Sequence, residues 1–166
     1  TLVAKRAEAF GMKIIFTDPL TRRDTPSHWR HVRLEELLKQ ADYVSLHVHL
    51  GPGTREMIGA SEFKKMVRKP FLINASRAEL VKKGDLILAL ENDLIRGVAM
   101  DAHYEEPTSS SDELFGFTNV FFSPHVAGST RDAYQTTIDS CLTNIATAVS
   151  GGAVSGQLLP RLRQST

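Results

Sequence analysis

Arg96-Gly97-Val98-Ala99-Met100-Asp101-Ala102-His103-Tyr104-Glu105-Glu106-Pro107 is the stretch that decides the fold. A short run of small apolar residues ends in a carboxylate, and a loop carrying Glu105 and Glu106 follows. The run does not alternate apolar with polar, so it reads as a strand buried on both faces. Upstream, Phe71-Leu72-Ile73 ends at Asn74-Ala75-Ser76-Arg77. Downstream, Val120-Phe121-Phe122 ends at Ser123-Pro124-His125, followed by Val126-Ala127-Gly128-Ser129-Thr130. Successive apolar runs thus close on an arginine, a carboxylate and a histidine. Those are the parts needed to hold an anionic substrate and move a proton.

Working outward, helical and strand patterns alternate. Residues 2–10 carry an apolar stripe stopped by Gly11, a helix end. Met12 to Thr17 reads as a strand ending at Asp18-Pro19, and residues 20–32 read as a polar, irregular connection. Leu34 to Ala41 is amphipathic, and Tyr43 to Val48 is the next buried strand. Ser61 is the expected cap of a helix over Glu62 to Met66, and Lys83 to Asn92 is helical. Residues 107–112 read as a polar loop. Thr130 to Val149 is a long helix with Ile138, Leu142, Ile145 and Val149 in register, ended by Gly151-Gly152. Strands alternating with helices, several of them unbroken apolar runs, predict an α/β fold with a parallel sheet. Ligands of such sheets bind beyond the carboxyl ends of the strands. Asp18, Val48-His49, Asn74 to Arg77, Asp101 and His125 all fall at or just past those ends.

Bulk properties narrow the function classes. A chain of 166 residues suits one domain, and 42% hydrophobic residues allow a sizeable core. Net charge is +1, which gives no electrostatic case for nucleic acid or a membrane surface as the main partner. No apolar run approaches the ~20 residues that span a bilayer. Cys141 is the single cysteine, so neither an internal disulfide nor a thiolate zinc site is expected, and a reducing, cytoplasmic setting fits. The chain opens at Thr1 without an initiator Met, inside a helical pattern, so we expect a piece of a longer protein. The dinucleotide-binding unit is expected over 1–150, with a C-terminal tail over 151–166.

Each candidate residue has a plainer reading beside the functional one. Asp18 is either a turn residue before proline or the acid that accepts hydrogen bonds from an adenosine ribose. In this series of strand ends we favour the ribose. Arg22 and Arg23 could host a 2′-phosphate, so NAD is preferred over NADP with that alternative open. Arg77 is a surface arginine or a carboxylate grip. Asp101 could cap a helix or orient a ligand amide. Glu106 lies five residues on, in a loop beside Glu105, where most glutamates are simply solvated. His125, between Pro124 and Gly128, is the best acid–base candidate by type. His47-x-His49 has metal-ligand spacing but no third ligand nearby, so no metal is expected. The sequence contains no GxGxxG and no GxxxxGK[ST].

Four ordered motifs carry a family likeness: Ala41-Asp42-Tyr43-Val44-Ser45-Leu46-His47-Val48, Ile73-Asn74-Ala75-Ser76-Arg77, Gly97-Val98-Ala99-Met100-Asp101 with Glu106-Pro107, and Ser123-Pro124-His125-Val126-Ala127-Gly128-Ser129-Thr130. From about Thr1 to Gly152 the chain resembles the nucleotide-binding domain of the D-isomer-specific 2-hydroxyacid dehydrogenases. The resemblance implies a Rossmann-like, doubly wound parallel sheet lacking its first strand and Gly-rich loop. It implies an oxidoreductase that moves a hydride between NAD and a small 2-hydroxy or 2-keto acid, and a homodimer. Arg77 would bind the substrate carboxylate, His125 would exchange the proton, and Glu106 would pair with His125. Asp18 would bind the ribose and Asp101 the nicotinamide carboxamide. Val48, His49, Thr54, Ala75, Ser76 and Gly128 match further cofactor-contacting positions. Two departures stand out: Ala78 where the family has Gly, which narrows the freedom of that turn, and His49 where it has Pro. Without the glycine loop, this chain alone is expected to bind NAD weakly or not at all and to catalyse nothing measurable. The competing reading is a non-catalytic, NAD-sensing or corepressor-like dimerising scaffold. Joint retention of Arg77, Glu106 and His125 speaks for the enzyme.

Overall fold

The computed structural model describes residues 2–19 and 25–155. The chain divides into two compact units, Thr1–His125 and Val126–Thr166. In the first unit the elements run α1 (Leu2–Ala9), β1 (Ile15–Phe16), β2 (Arg30–His31), α2 (Leu34–Gln40), β3 (Tyr43–Leu46), α3 (Ala60–Lys65), β4 (Phe71–Asn74), α4 (Lys83–Glu91), β5 (Gly97–Met100) and β6 (Val120–Phe122). Short 3₁₀ turns cover Ala78–Leu80 and Glu113–Gly116.

All strand pairings are parallel. β3, β4, β5 and β6 form one sheet in that order, and β1 pairs with β2 in a second. Helices separate β2, β3, β4 and β5, and with every pairing parallel this is the Rossmann-like α/β architecture. The main sheet is in phase: Leu72 lies beside Val44 and Val98, and Val98 beside Val120. Its core joins Leu38 of α2, Val44 and Leu46 of β3, and Phe63 of α3 with Leu72, Leu86, Leu90, Val98 and Met100. α3 packs against both α2 and α4.

The local chemistry explains the boundaries, and it corrects some of them. Gly11 adopts φ 79 and ends α1, its amide donating to Glu8 and that of Met12 to Ala7. The connection over 20–32 is not irregular throughout: Arg30–His31 is a strand, because Arg30 N–H donates to Ile14 and Val32 N–H to Phe16. Two alternating polar residues carry no apolar signal, so pairing alone reveals them. α3 begins at Ala60 rather than after Ser61. Gly59 occupies the N-cap, and Glu62 returns its carboxylate to the Gly59 amide at 3.2 Å. β1 and β3 are shorter than the runs Met12 to Thr17 and Tyr43 to Val48, since ladder bonds end before the apolar residues do.

In the second unit α5 (Arg131–Val149) is capped by Thr130, whose Oγ1 accepts from Ala133 N–H at 3.1 Å. Ile138, Leu142, Ile145 and Val149 are on its surface, 52–85% exposed, rather than packed. None of the helices described is long and apolar enough to cross a membrane.

Gly97 is needed by close approach, not by its backbone angles. A Cβ there would collide with the Asn119 carbonyl oxygen, which accepts from Val98 N–H at 3.1 Å. Gly97→Ala should therefore lower stability by ~1–3 kcal/mol, the usual cost of overpacking. Urea unfolding of the chain checks this, and an unchanged midpoint would show that the strand start can shift freely.

Candidate active site

β4, β5 and β6 are adjacent and parallel, so their carboxyl ends share one edge. The loops leaving that edge carry the candidate residues. After β4, Asn74 is almost fully buried at 1% exposure. Its Nδ2 donates to the Arg77 carbonyl at 2.8 Å, and its Oδ1 accepts from Ser76 N–H at 3.2 Å. One side chain thus folds the Asn-Ala-Ser-Arg turn from within. Ser76 Oγ donates to the Val48 carbonyl at 2.7 Å, tying this turn to the end of β3. Thr54 Oγ1 donates to the His49 carbonyl at 2.6 Å and accepts from Gly51 N–H at 2.9 Å. His49, Leu50, Ala75, Ser76 and Arg77 line an open cleft of about 390 Å³. The exposed Arg77 guanidinium donates from Nη1 to the Ser76 carbonyl at 2.6 Å. Ala78 does not strain the turn: it is buried and lies in a 3₁₀ turn, where an alanine is at ease.

After β5, Asp101 is 6% exposed, and its Oδ1 accepts from Ser123 Oγ at 2.5 Å. This bond links the ends of β5 and β6. Tyr104 anchors the following loop: its hydroxyl donates to the Val81 carbonyl at 2.8 Å, and Lys83 Nζ sits 5.6 Å from its ring centre. Burial holds the Tyr104 hydroxyl far above the usual phenol range, so it remains a donor.

Glu106 and His125 meet. His125 Nδ1 lies 2.8 Å from Glu106 Oε1 and 3.0 Å from Oε2. A carboxylate only accepts, so the proton sits on Nδ1 and Nε2 is left for other chemistry. His125 adopts φ 53, a left-handed conformation unusual for a residue with a side chain. The His103 backbone N–H, 3.1 Å from Oε1, is the main cause that lowers the Glu106 pKa below the ordinary 4.5. The His125 hydrogen bond and charge add to it.

Asp18 lies elsewhere in this unit, past β1. With Thr17, Pro19, His31, Val32 and Arg33 it lines a groove of about 450 Å³. The Asp18 carbonyl accepts from His31 Nε2 at 3.1 Å. Arg33 lines the same groove as Asp18. Arg22 and Arg23 lie outside the described residues. Gly128 belongs to the second unit; a Cβ there would meet nothing within 4 Å. His47 pairs with Ser45 Oγ at 2.9 Å, and burial lowers its pKa. Among the described residues no cluster of three His, Cys, Asp or Glu could hold a metal.

One strand edge of a parallel sheet thus carries a carboxylate-backed histidine, a buried aspartate and an arginine. Residues 1–127 match the family model of the D-isomer specific 2-hydroxyacid dehydrogenase NAD binding domain, and the chain belongs to that family. It is 37% identical over 151 residues to a glycerate dehydrogenase of Methylorubrum extorquens, covering 90% of this chain and 46% of that one. It is 39% identical to a glyoxylate reductase of Thermococcus litoralis, covering 80% and 40%. The fold matches a D-lactate dehydrogenase with NAD⁺ from Lactobacillus jensenii with a TM-score of 0.87, at 27% identity, covering 96% of this chain and 52% of that one. The chain thus spans about half the length of these relatives or less.

Sequence reasoning left Asn74, Tyr104 and Ser123 without roles. An Asn preceding a small-residue turn is an Asx-turn signal that could have flagged Asn74. Asn74→Ala removes partners from the Ser76 amide and the Arg77 carbonyl. The expected loss of stability is ~1–3 kcal/mol, read by thermal unfolding, and a neutral result would mean that water replaces the side chain.

Glu106 also makes a pH prediction. A carboxyl whose folded pKa is depressed contributes stability that is present above its unfolded value and lost as pH falls through the folded value. The window for Glu106 therefore lies below 4.5. Carboxyl-carbon NMR should give it a midpoint under that value; a midpoint at or above it would contradict the pairing.

Proposed function

We propose that this chain is the cofactor-binding portion of an NAD-dependent dehydrogenase that interconverts a small 2-hydroxy acid and its 2-keto acid. The Glu106–His125 pair, set on the strand edge that also carries Arg77, is the observation that carries the reading. Arg77 presents a planar fork of N–H donors that suits a carboxylate bidentately. His125 keeps Nδ1–H on Glu106, so Nε2 exchanges the proton with the substrate oxygen. In reduction the imidazolium donates from Nε2 to the carbonyl oxygen; in oxidation neutral Nε2 takes the hydroxyl proton. Glu106, held ionised by the His103 amide, balances the positive charge that forms on the ring.

Bound NAD supplies the hydride acceptor, and its reduced form the hydride. The donor set fits it. Asp18, in the groove beside β1, would accept hydrogen bonds from ribose hydroxyls and oppose a 2′-phosphate, which supports NAD over NADP. Buried Asp101 suits the carboxamide of the nicotinamide, while Val48, His49, Thr54, Ala75 and Ser76 would line the path between. The same reading carries a homodimer and a cytoplasmic setting; Cys141, exposed and unpaired with another cysteine, supports a reducing compartment.

The test is His125→Ala in the whole protein. Reduction of small 2-keto acids by NADH should fall by ~10²–10⁴, the usual contribution of a general acid–base group. Activity within a few-fold of the parent would remove His125 from the chemistry.

A further inference from the structure

We propose that His103 is a positioning residue that holds both members of the acid–base pair, Glu106 through its main chain and His125 through the turn before it. The proposal rests on the roles of Glu106 and His125 given above. His103 lies on the loop after β5, two residues beyond Asp101. Its backbone N–H donates to Glu106 Oε1 at 3.1 Å. Its ring reaches the other way: Nε2 lies 2.9 Å from the Ser123 carbonyl oxygen. A carbonyl can only accept, so this Nε2 carries the hydrogen.

Ser123 is the pivot of the His125 turn. Its carbonyl also accepts from the His125 backbone N–H at 2.9 Å, across Pro124, which has no N–H to give. Both lone pairs of one oxygen are then filled, by His103 and by His125. From behind, Ser123 N–H donates to the Met100 carbonyl at 3.0 Å and Ser123 Oγ to Asp101. The His103 ring is fixed as well as bonded. It stacks on Phe122 with centroids 5.4 Å apart and an interplanar angle of 23°, and Phe122 packs on Phe115 at 4.7 Å. A phenylalanine at position 103 would keep the stack and lose only the donor.

The geometry matters because His125 has a left-handed backbone, with φ 53. Such a residue keeps its conformation only where its surroundings determine it. The imidazole direction follows from that backbone, and so does the contact of Nδ1 with Glu106. His103 grips the carbonyl on one side of the strained residue and the carboxylate on the other. Protonation of its ring adds hydrogen at Nδ1 and leaves the Nε2–H donor in place, so the grip persists in either charge state.

The experiment is ¹⁵N NMR of the histidine rings in this 166-residue chain, for the parent, His103→Phe and His103→Gln. In the parent, neutral His103 should carry its hydrogen on Nε2 and His125 on Nδ1. His103→Phe should leave His125 with mixed tautomers, and His103→Gln, whose amide can donate from the same place, should restore Nδ1–H. In the whole protein, His103→Phe should lower kcat about fivefold, the effect of one net hydrogen bond, without raising KM, with Gln again restoring it. An Nδ1–H tautomer of His103 in the parent overturns the proposal without any variant having to fold. An unchanged His125 tautomer in His103→Phe overturns it too. If parent His125 lacks Nδ1–H, the pairing with Glu106 falls and the proposal falls with it. If His125→Ala keeps its activity while the tautomers behave as expected, the catalytic role fails and the positioning stands.

Discussion

Zero offset between neighbouring strands is the constraint on which the site depends. Leu72, Val98 and Val120 stand side by side, and so do Asn74, Met100 and Phe122. Strands in a sheet lie about 4.8 Å apart. With no stagger, the loops after β4, β5 and β6 therefore leave from nearly the same level. Shifting β6 by one residue would invert the faces of Val120 and Phe122 and carry Ser123 away from Asp101. The bond that Val98 N–H donates to the Asn119 carbonyl holds that register at the strand start, and a side chain at Gly97 would meet the same carbonyl oxygen.

Alignment alone would leave three loose loops. What fixes them is a set of polar side chains bonded to backbone groups or to one another rather than to solvent. Asn74 folds the turn that presents Arg77, Tyr104 ties the next loop back to Val81, and Asp101 clamps Ser123. Asn74 and Asp101 are the buried polar residues among those described, and both are satisfied. The residues proposed for the chemistry, Arg77 and His125 toward the substrate and Glu106 behind His125, are exposed instead. Precision is built into the buried layer, and chemistry is left to the accessible one.

The sequence was most legible where one signal sufficed. Unbroken apolar runs gave β4, β5 and β6, and glycine marked the ends of α1 and α5. It was least legible where two distant segments had to meet. Arg30–His31 has nothing strand-like about it until Ile14 and Phe16 offer their carbonyls. Ser61 is a better cap by type than Gly59, but the chain enters the helix two residues earlier, where Glu62 and Asp85 supply the carboxylates. The stripe on α5 has helical spacing, and periodicity cannot say what a helix face packs against. In the site, residue types pointed to Glu106 and His125 separately, and the resemblance paired them. Nothing in the spacing foretold that His103 would donate to one and brace the other.

The strain at His125 shows how the effects rank. A non-glycine residue in the left-handed region costs ~1–3 kcal/mol. The ion pair with Glu106 is exposed on both sides, and exposed pairs contribute little because water screens them. That pair therefore cannot be what holds the backbone in place. The turn itself must do so: Met100, Asp101 and His103 hold Ser123, and Ser123 holds the His125 amide. The imidazole is then delivered to Glu106 already oriented. This order of causes suits a proton-transfer group. A histidine fixed by its backbone can change charge at Nε2 without losing its place, whereas one fixed mainly by its ion pair would loosen each time the charge changed.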